Sequence, residues 1–223
     1  MQVPDRDKKS IGDRIAAIAQ TLPTSVKLVA VSKYATLAAI REAYAAGIRD
    51  FGESKVQDTQ KKQQELRDLK DITWHMIGHL QSNKVRAAIQ CFDWIHSVDR
   101  VSIAQQIDRL VGETGKSPNI CLQVKLASDP QKTGWHENEL MLDLAAIKQC
   151  KNLRIVGLMT ILPLGLDEAE SSDIFLKVSN LAKKLRLEGF SDLQHLSMGM
   201  SGDYHIAVKA GATIIRVGNL IFA

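Results

Sequence analysis

The amino-acid sequence predicts an α/β fold, namely a single (β/α)8 barrel of the TIM type with an extra N-terminal helix. Short apolar runs, rich in β-branched residues, alternate along the chain with longer segments of helical period. Eight such runs can be counted, and most are apolar throughout, which is typical of parallel strands covered on both faces. We expect one domain over residues 1–223, because a barrel of this type takes about 250 residues and leaves no room for a second domain.

The predicted elements follow one another in a regular order. A polar helical segment over Ile11–Leu22, stopped by Pro23, gives the extra helix. The first strand begins at Lys27, and the helix after it is capped by Thr36 and closed by Gly47. The other seven strands begin where later apolar runs start, near Asp50, Ile72, Trp94, Asn119, Leu153, Leu193 and Thr213.

An open, doubly wound sheet is the alternative arrangement for alternating strands and helices. Such a sheet would favour a G-x-G-x-x-G turn after the first strand, where a phosphate group meets the start of a helix. The segment VSKYATL that follows the first strand contains no glycine. The barrel is therefore the favoured fold.

Composition and charge indicate an ordinary globular protein. Hydrophobic residues make up 45% of the chain and charged residues 24%, which argues against disordered and fibrous classes. The 29 Lys and Arg against 25 Asp and Glu leave a net charge of +4, dispersed along the sequence. Because a nucleic-acid site needs a concentrated basic patch, we expect no nucleic-acid partner.

The opening segment of the sequence and its apolar runs indicate where in the cell the protein is expected. The stretch MQVPDRDKKSIGDR is followed by no apolar core of a secretory signal, so we expect a cytoplasmic protein. The apolar run over Val156–Leu166 is short and broken by proline and glycine, so we expect no membrane span. Cys91, Cys121 and Cys150 lie far apart, which favours buried free thiols.

Lys33 is the first candidate for a functional residue. It follows the apolar run LVAVS at the carboxyl end of the first strand, and the active sites of barrels lie at that end of the strands. An amine held there beside apolar walls is expected to be desolvated and able to form a Schiff base with an aldehyde or ketone. A surface lysine that begins a loop is the alternative interpretation.

The segment SMGMSGD at 197–203 is the second candidate. It follows the seventh strand and opens a helix, and it combines glycines with hydroxyl side chains. Glycine lets backbone N–H groups approach an anion closely, and the loops after the seventh and eighth barrel strands commonly bind phosphate. We therefore expect a phosphate cradle here, with an ordinary turn as the alternative.

Arg216 is the third candidate, since it is a lone charge within an apolar strand and is followed by Gly218 and Asn219. A barrel strand is covered on both faces, so an inward arginine that meets a ligand is as reasonable as an outward one. Together with Lys33 and the 197–203 segment, it describes a pocket for a phosphorylated aldehyde. His75 and His79 are spaced as a helical zinc pair would be, but they lie on a predicted strand and loop, so we expect no metal.

Several ordered motifs carry a resemblance to a known family. They are LVAVSKYA around Lys33, FGESKVQD, WHMIGHLQSNK, HSVDR, GLMTILP, LSMGMSGD and RVGNLIF, and they extend over nearly the whole chain. The sequence resembles the pyridoxal phosphate homeostasis proteins, whose fold is similar to the barrel domain of alanine racemase. Ser54 stands where the family usually has Asn, and Asn219 where Ser or Thr is frequent.

The resemblance implies a role for each candidate residue. Lys33 would carry pyridoxal 5′-phosphate (PLP) as a Schiff base, and Arg216 would face the pyridine nitrogen. The phosphate would be held by residues of the last two strand ends, namely Ser197, Gly199, Met200, Ser201, Gly218 and Asn219.

The resemblance also implies a function in vitamin B6 and amino-acid and keto-acid homeostasis without catalytic turnover. An arginine beside the pyridine nitrogen disfavours protonation of the ring, which makes the cofactor a poor electron sink. Recipient enzymes that lack PLP are the implied partners, and we expect a monomer. A PLP-dependent racemase-like enzyme is the alternative.

Overall fold

A computed structural model of the protein describes residues 9–129 and 132–223. Its centre is a closed barrel of eight parallel strands, in which each strand pairs with its neighbours in the order of the chain. The (β/α)8 prediction is therefore confirmed. The strands are β1 Lys27–Val31, β2 Asp50–Glu53, β3 Thr73–Met76, β4 Trp94–Val98, β5 Asn119–Gln123, β6 Arg154–Met159, β7 His195–Ser197 and β8 Ile214–Val217.

Nine α-helices are present in the described part of the chain, and those between strands cover the outside of the barrel. A 3-10 turn at Ser82–Lys84 precedes the fourth of them. The helices are α1 Ile11–Gln20, α2 Leu37–Ala45, α3 Val56–Glu65, α4 Val85–Cys91, α5 Val101–Thr114, α6 Glu137–Lys148, α7 Glu168–Leu187, α8 Tyr204–Lys209 and α9 Asn219–Phe222.

The barrel closes between its first and last strands. Lys27 of β1 lies opposite Ile214 of β8, and the pairing continues to Ala30 opposite Val217. Because all the strands are parallel, their carboxyl ends, and the loops that carry the candidate residues, gather at one end of the barrel.

The extra N-terminal helix α1 has clear local causes. The Ser10 side chain accepts a hydrogen bond from the Asp13 backbone N–H, and the Asp13 carboxylate accepts from the Ser10 backbone in return, which forms a capping box. Ile15 and Ile18 are buried. Arg14 donates to the carbonyl of Ile221, which ties α1 to α9. The expectation that no secretory signal opens the sequence rests partly on residues 1–8, which lie outside the described residues.

The predicted bounds of α2 are also confirmed. Thr36 accepts a hydrogen bond at 3.2 Å from the backbone N–H of Ala39, which satisfies one of the free donors at the start of the helix. Gly47 follows the helix with φ of 98°, a left-handed conformation that glycine adopts without strain.

Apolar residues form two clusters, one within the barrel and one between the barrel and its helices. The inner cluster consists of Val29, Trp94, Cys121, Val156, Met159 and Ile214. The inside of this barrel also holds buried polar side chains, among them His75, His96 and Arg216. All three cysteines are free and buried, as expected.

Two further findings concern the described residues alone. No helix among residues 9–129 and 132–223 has the length and hydropathy that a membrane span requires. In the same ranges, no group of three or more His, Cys, Asp or Glu side chains is arranged to hold a metal ion.

Candidate functional site

A cavity of about 490 Å³ opens at the carboxyl ends of the strands. It is lined by residues that follow β1, β2, β3, β6, β7 and β8, so six of the eight strands contribute to it. Six of the eight residues expected in the site lie in its wall, namely Lys33, Met200, Ser201, Arg216, Gly218 and Asn219.

Lys33 lies at the rim of this cavity rather than deep within it. The side chain is exposed, and Nζ lies 5.0 Å from the centre of the Tyr34 ring. The expectation that apolar walls would desolvate this amine is therefore wrong. The neighbouring Tyr34 is 89% exposed as well, so no apolar wall forms on that side of the lysine.

The backbone on the amino side of Lys33 is held firmly. Ser32 is buried, and its N–H donates to the carbonyl of Gly52 at 2.9 Å. The Ser32 carbonyl accepts from Lys62 Nζ at 2.7 Å and from the backbone N–H of Ala35. The loop that carries Lys33 is thus held at its start by hydrogen bonds to Ser32, while the Lys33 side chain itself is exposed.

The 197–203 segment forms a tight loop between β7 and α8. Gly199 has φ of 94°, and a Cβ placed there would lie 2.7 Å from Cβ of Ala207 and 2.9 Å from Cα of Tyr204. Only glycine fits this position. The turn places Met200, Ser201, Gly202 and Asp203 in the cavity wall, and the Asp203 carboxylate accepts a hydrogen bond from the backbone N–H of Met200 within the loop.

Gly218 brings the end of β8 close to the end of β1. A Cβ at Gly218 would lie 3.2 Å from both the carbonyl oxygen and Cβ of Val31. Asn219 begins α9 directly after it. The eighth strand therefore adds backbone and a polar side chain to the same wall as Ser201.

Ser197 and Gly199 do not line the cavity in this structure. Ser197 is fully buried, and its Oγ lies 2.7 Å from Nη1 of Arg216 and 2.7 Å from Nδ1 of His96. The Gly199 carbonyl accepts a hydrogen bond from the backbone N–H of Arg216 at 2.9 Å. Both residues thus support Arg216 and the loop from behind the wall.

Arg216 lies at the floor of the cavity and is 3% exposed. Its Nη1 donates to Ser197 Oγ at 2.7 Å, and Nη2 donates to the carbonyl of Thr160 at 2.8 Å. Burial lowers the pKa of this guanidinium to about 10, so it remains charged at neutral pH. The inward orientation, one of the two expected at the sequence level, is the one observed.

Several residues of the wall were not expected from the sequence. They are Val31, Ser54, Ile77, Gly78 and the segment 161–164, whereas Gly202 and Asp203 belong to the predicted 197–203 cradle. A Cβ at Gly78 would lie 2.3 Å from the carbonyl oxygen of Ser54, so the second and third strand ends touch through backbone. Ser54, Gly78 and 161–163 all fall within the motifs FGES, WHMIGHLQSNK and GLMTILP, which was the signal available for them.

The histidines and tyrosines of the sequence lie outside the cavity wall. Tyr44 donates a hydrogen bond to Asp71 on the surface, and Tyr204 packs against the core at the start of α8. The Tyr34 ring is exposed. His79 pairs with Asp99 at 3.1 Å, beside the neighbouring cavity that follows β2 and β3.

Comparison with known proteins places the chain in a family. The alanine racemase N-terminal domain family model matches residues 7–223. The pyridoxal phosphate homeostasis protein of Synechocystis sp. is 49% identical over 205 residues, which cover 92% of this chain and 94% of the relative. That of Pseudomonas aeruginosa is 43% identical over 201 residues, which cover 90% and 85%.

Solved structures agree with this assignment. PipY of Synechococcus elongatus, solved with PLP bound, has a TM-score of 0.92 and 49% identity over 96% of this chain and 100% of PipY. Diaminopimelate decarboxylase of Helicobacter pylori, at 15% identity and a TM-score of 0.75 over 95% of this chain and 61% of its own, shares the fold. The protein therefore belongs to the pyridoxal phosphate homeostasis protein family, which is built on the alanine racemase N-terminal domain.

Proposed function

We propose that this protein binds PLP, carries it as a Schiff base on Lys33, and serves vitamin B6 and amino-acid and keto-acid homeostasis without catalytic turnover. The observation that carries the proposal is that an amine, a hydroxyl loop and a buried guanidinium share one cavity, contributed by Lys33, Ser201 and Arg216. PipY, a close relative in sequence and fold, is known with PLP bound. The binding unit is one barrel domain over residues 1–223.

The cavity and the residues in its wall fit a phosphorylated aldehyde of the size of PLP. About 490 Å³ lies within the range of small-molecule sites. PLP supplies an aldehyde that condenses with amines and a ring that can delocalise electrons. The exposed amine of Lys33 offers the covalent attachment, and the loop that holds Ser201 offers hydrogen-bond donors where glycine lets the backbone approach.

The division of roles follows from burial. Met200, Ser201, Gly218 and Asn219 line the cavity and would face the phosphate, while Ser197 and Gly199 would act behind them by supporting Arg216 and the turn. Arg216, as the cation at the cavity floor, would face the ring nitrogen. A cation at that place keeps a proton off the nitrogen and so weakens the electron sink.

A lack of turnover is supported by the surroundings of Lys33. A racemase needs a second base on the far side of the substrate carbon. All three tyrosines lie in the described part of the chain, and none of them lines the cavity. The exposed position of Lys33 instead suits exchange of the cofactor with solvent and with other proteins. We propose enzymes that lack PLP as recipients of a cytoplasmic, monomeric carrier.

Titration of the purified protein with PLP tests this function. We expect saturable binding with a visible absorption band for the wild type and for Lys61→Ala, which removes an exposed lysine close to Lys33. Lys33→Ala is expected to lose the band. An unchanged band in Lys33→Ala would refute the attachment, and transfer of PLP from the loaded protein to a defined apo-enzyme would measure delivery.

A further inference from the structure

A continuous chain of buried polar side chains runs through the inside of the barrel from β2 to β8. Nε2 of His75 lies 2.8 Å from Oδ1 of Asp50, and Nδ1 of His75 lies 2.9 Å from Nε2 of His96. Nδ1 of His96 lies 2.7 Å from Oγ of Ser197, which lies 2.7 Å from Nη1 of Arg216. We call these five residues the barrel relay.

The barrel relay connects the two ends of the barrel. Asp50 is the first residue of β2, at the amino end of the strands, where Lys27 Nζ lies 2.6 Å from its carboxylate. Arg216 lies at the floor of the cavity at the other end. His75, His96 and Ser197 between them are fully buried. Barrel interiors are normally filled by branched apolar side chains, so this polar path replaces ordinary packing.

The two ends of the relay determine where its protons lie. A guanidinium can only donate and an ionised carboxylate can only accept, so both end bonds are oriented. If His75 is neutral and donates from Nε2 to Asp50, its Nδ1 must accept from Nε2–H of His96. Neutral His96 then accepts at Nδ1 from the Ser197 hydroxyl, which accepts in turn from Arg216. Every bond therefore points from Arg216 toward Asp50.

The surroundings of the two histidines favour their neutral forms. Burial lowers the pKa of His75, and the hydrogen bond that His75 donates to Asp50 only partly opposes this. Burial lowers the pKa of His96 well below its usual value, and His75 and Arg216 lower it further. Lys27 also lowers the pKa of His75, while Asp93 raises it. His195 and Lys27 both lower the pKa of His96.

The carboxylate at the end of the relay is held in its charged form. Burial raises the pKa of Asp50, but the hydrogen bonds from His75 and Lys27 outweigh it and leave the pKa below its usual value. Among the described residues, Arg216 makes no ion pair, and Asp203 of the cavity wall is the carboxylate that raises its pKa against the effect of burial. A chain of aligned hydrogen bonds polarises each member and so links separated charges.

We propose that the barrel relay is a positioning device for Arg216, in which Ser197, His96 and His75 hold the guanidinium at the cavity floor and connect it to Asp50 as a distant counter-charge. Of these five residues, only Arg216 lines the cavity, so the other four would act on a ligand through Arg216. The proposal concerns the protein without ligand, and it draws on the proposed function only in taking the floor of the cavity as the ligand side.

The first test measures where the protons lie in the ligand-free protein. Long-range ¹H–¹⁵N NMR spectra of the imidazole rings distinguish the two neutral tautomers from the imidazolium form. We expect His75 and His96 to be neutral at pH 7 and to carry their protons on Nε2. An imidazolium, or a proton on Nδ1 of either ring, would overturn the relay without any variant being made.

The second test asks whether the ends of the relay are coupled. Asp50→Asn keeps an oxygen that can accept from His75 but removes the charge, and we expect it to shift the Nε–H resonance of Arg216 in ligand-free protein. Asp50→Glu should restore most of that shift. A matched control is Asp173→Asn, which removes the charge of an exposed carboxylate on α7, outside the barrel. If Asp50→Asn alters the signals of His75 alone, the coupling does not exist.

The third test links the relay to the cavity. Ser197→Ala removes the hydroxyl that joins His96 to Arg216, and we expect about a tenfold loss of PLP affinity with no loss of the covalent attachment to Lys33. If PLP does not bind the wild type, the proposed function fails while the two ligand-free tests still decide the relay. Equal affinity in Ser197→Ala and wild type would show that the relay does not position Arg216 for binding.

Discussion

Nζ of Lys62 lies 2.7 Å from Oε1 of Glu53, in an ion pair whose carboxylate is 1% exposed. The same ammonium donates to the carbonyl of Ser32, and Ser32 Oγ donates to Glu53 at 2.6 Å. Lys62 therefore ties β2 and α3 to the residue that precedes Lys33. It is a structural lysine next to the proposed cofactor lysine.

We expect Lys62→Met to lower the free energy of unfolding by about 3 kcal/mol, because it leaves the Glu53 carboxylate buried without its partner. Urea denaturation measures this loss. Lys61→Met changes the adjacent, exposed lysine and should alter stability by less than about 0.5 kcal/mol. Equal effects of the two substitutions would contradict the structural role of Lys62.

Ser201 is the hydroxyl of the 197–203 loop that lines the cavity. Ser201→Ala should weaken PLP binding by about 1.5 to 3 kcal/mol, or roughly 10- to 150-fold in Kd, because one hydrogen bond to a charged phosphate is lost. Isothermal titration calorimetry measures the change. Ser191→Ala, which alters a serine beside a cavity on the other side of the molecule, serves as the control. An unchanged Kd for Ser201→Ala would remove this residue from the phosphate site.

The buried histidines predict a pH dependence of stability. The pKa values of His75 and His96 are lower in the folded protein than in the unfolded chain, where histidine titrates near its usual value. Below about pH 6.5 the unfolded state therefore binds more protons, so these two residues make the protein less stable as the pH falls. Each contributes a slope of at most about 1.4 kcal/mol per pH unit.

Denaturation curves between pH 7.5 and 5 test this expectation. We expect His96→Phe to reduce the slope of stability against pH. Ile95→Val trims a buried side chain next to it, removes no titratable group, and should lower stability by about 0.5 to 1.5 kcal/mol at every pH. The same slope in His96→Phe and wild type would show that His96 does not titrate as described.

Absence of turnover predicts little hydrogen exchange at the α-carbon of amino acids. In D₂O with PLP-loaded protein, alanine, serine and glutamate should gain no deuterium above the rate with free PLP, because Arg216 would weaken the electron sink and none of the three tyrosines, all in the described part of the chain, lines the cavity as a second base. Proton NMR follows the α-hydrogen signal. Exchange at rates of about 1 to 1,000 per second, typical of enzymes, would establish a racemase-like activity instead.

Much of the fold could be predicted from the sequence because the strands are local patterns. The runs around Val29, Ile120 and Ile214 are largely apolar, and each lies in a barrel strand. An inward Arg216 that meets a ligand was one of two orientations expected for a charge in a strand covered on both faces, and the family resemblance favoured it. The apolar run before Lys33 predicted that this residue follows the first strand at the active-site end of the barrel, and Lys33 does line the cavity there.

The remaining features depend on packing between distant segments. His75 and His96 are separated by 21 residues and meet only because β3 and β4 are neighbours. Ser197 and Ser201 belong to one motif, but Ser197 ends β7 facing inward, while Ser201 lies in the loop. The exposure of the Lys33 side chain is a further feature that no sequence period describes.

Reduction of the PLP-loaded protein with borohydride, followed by mass spectrometry of its peptides, tests the central claim most directly. Borohydride makes the link between PLP and a lysine permanent, so the modified residue can be identified. We predict that the pyridoxyl group is found on Lys33 and that Lys33→Ala yields unmodified protein with the wild-type melting temperature. Modification at Lys61, Lys62 or another lysine, at an equal level in wild type and Lys33→Ala, would contradict the account.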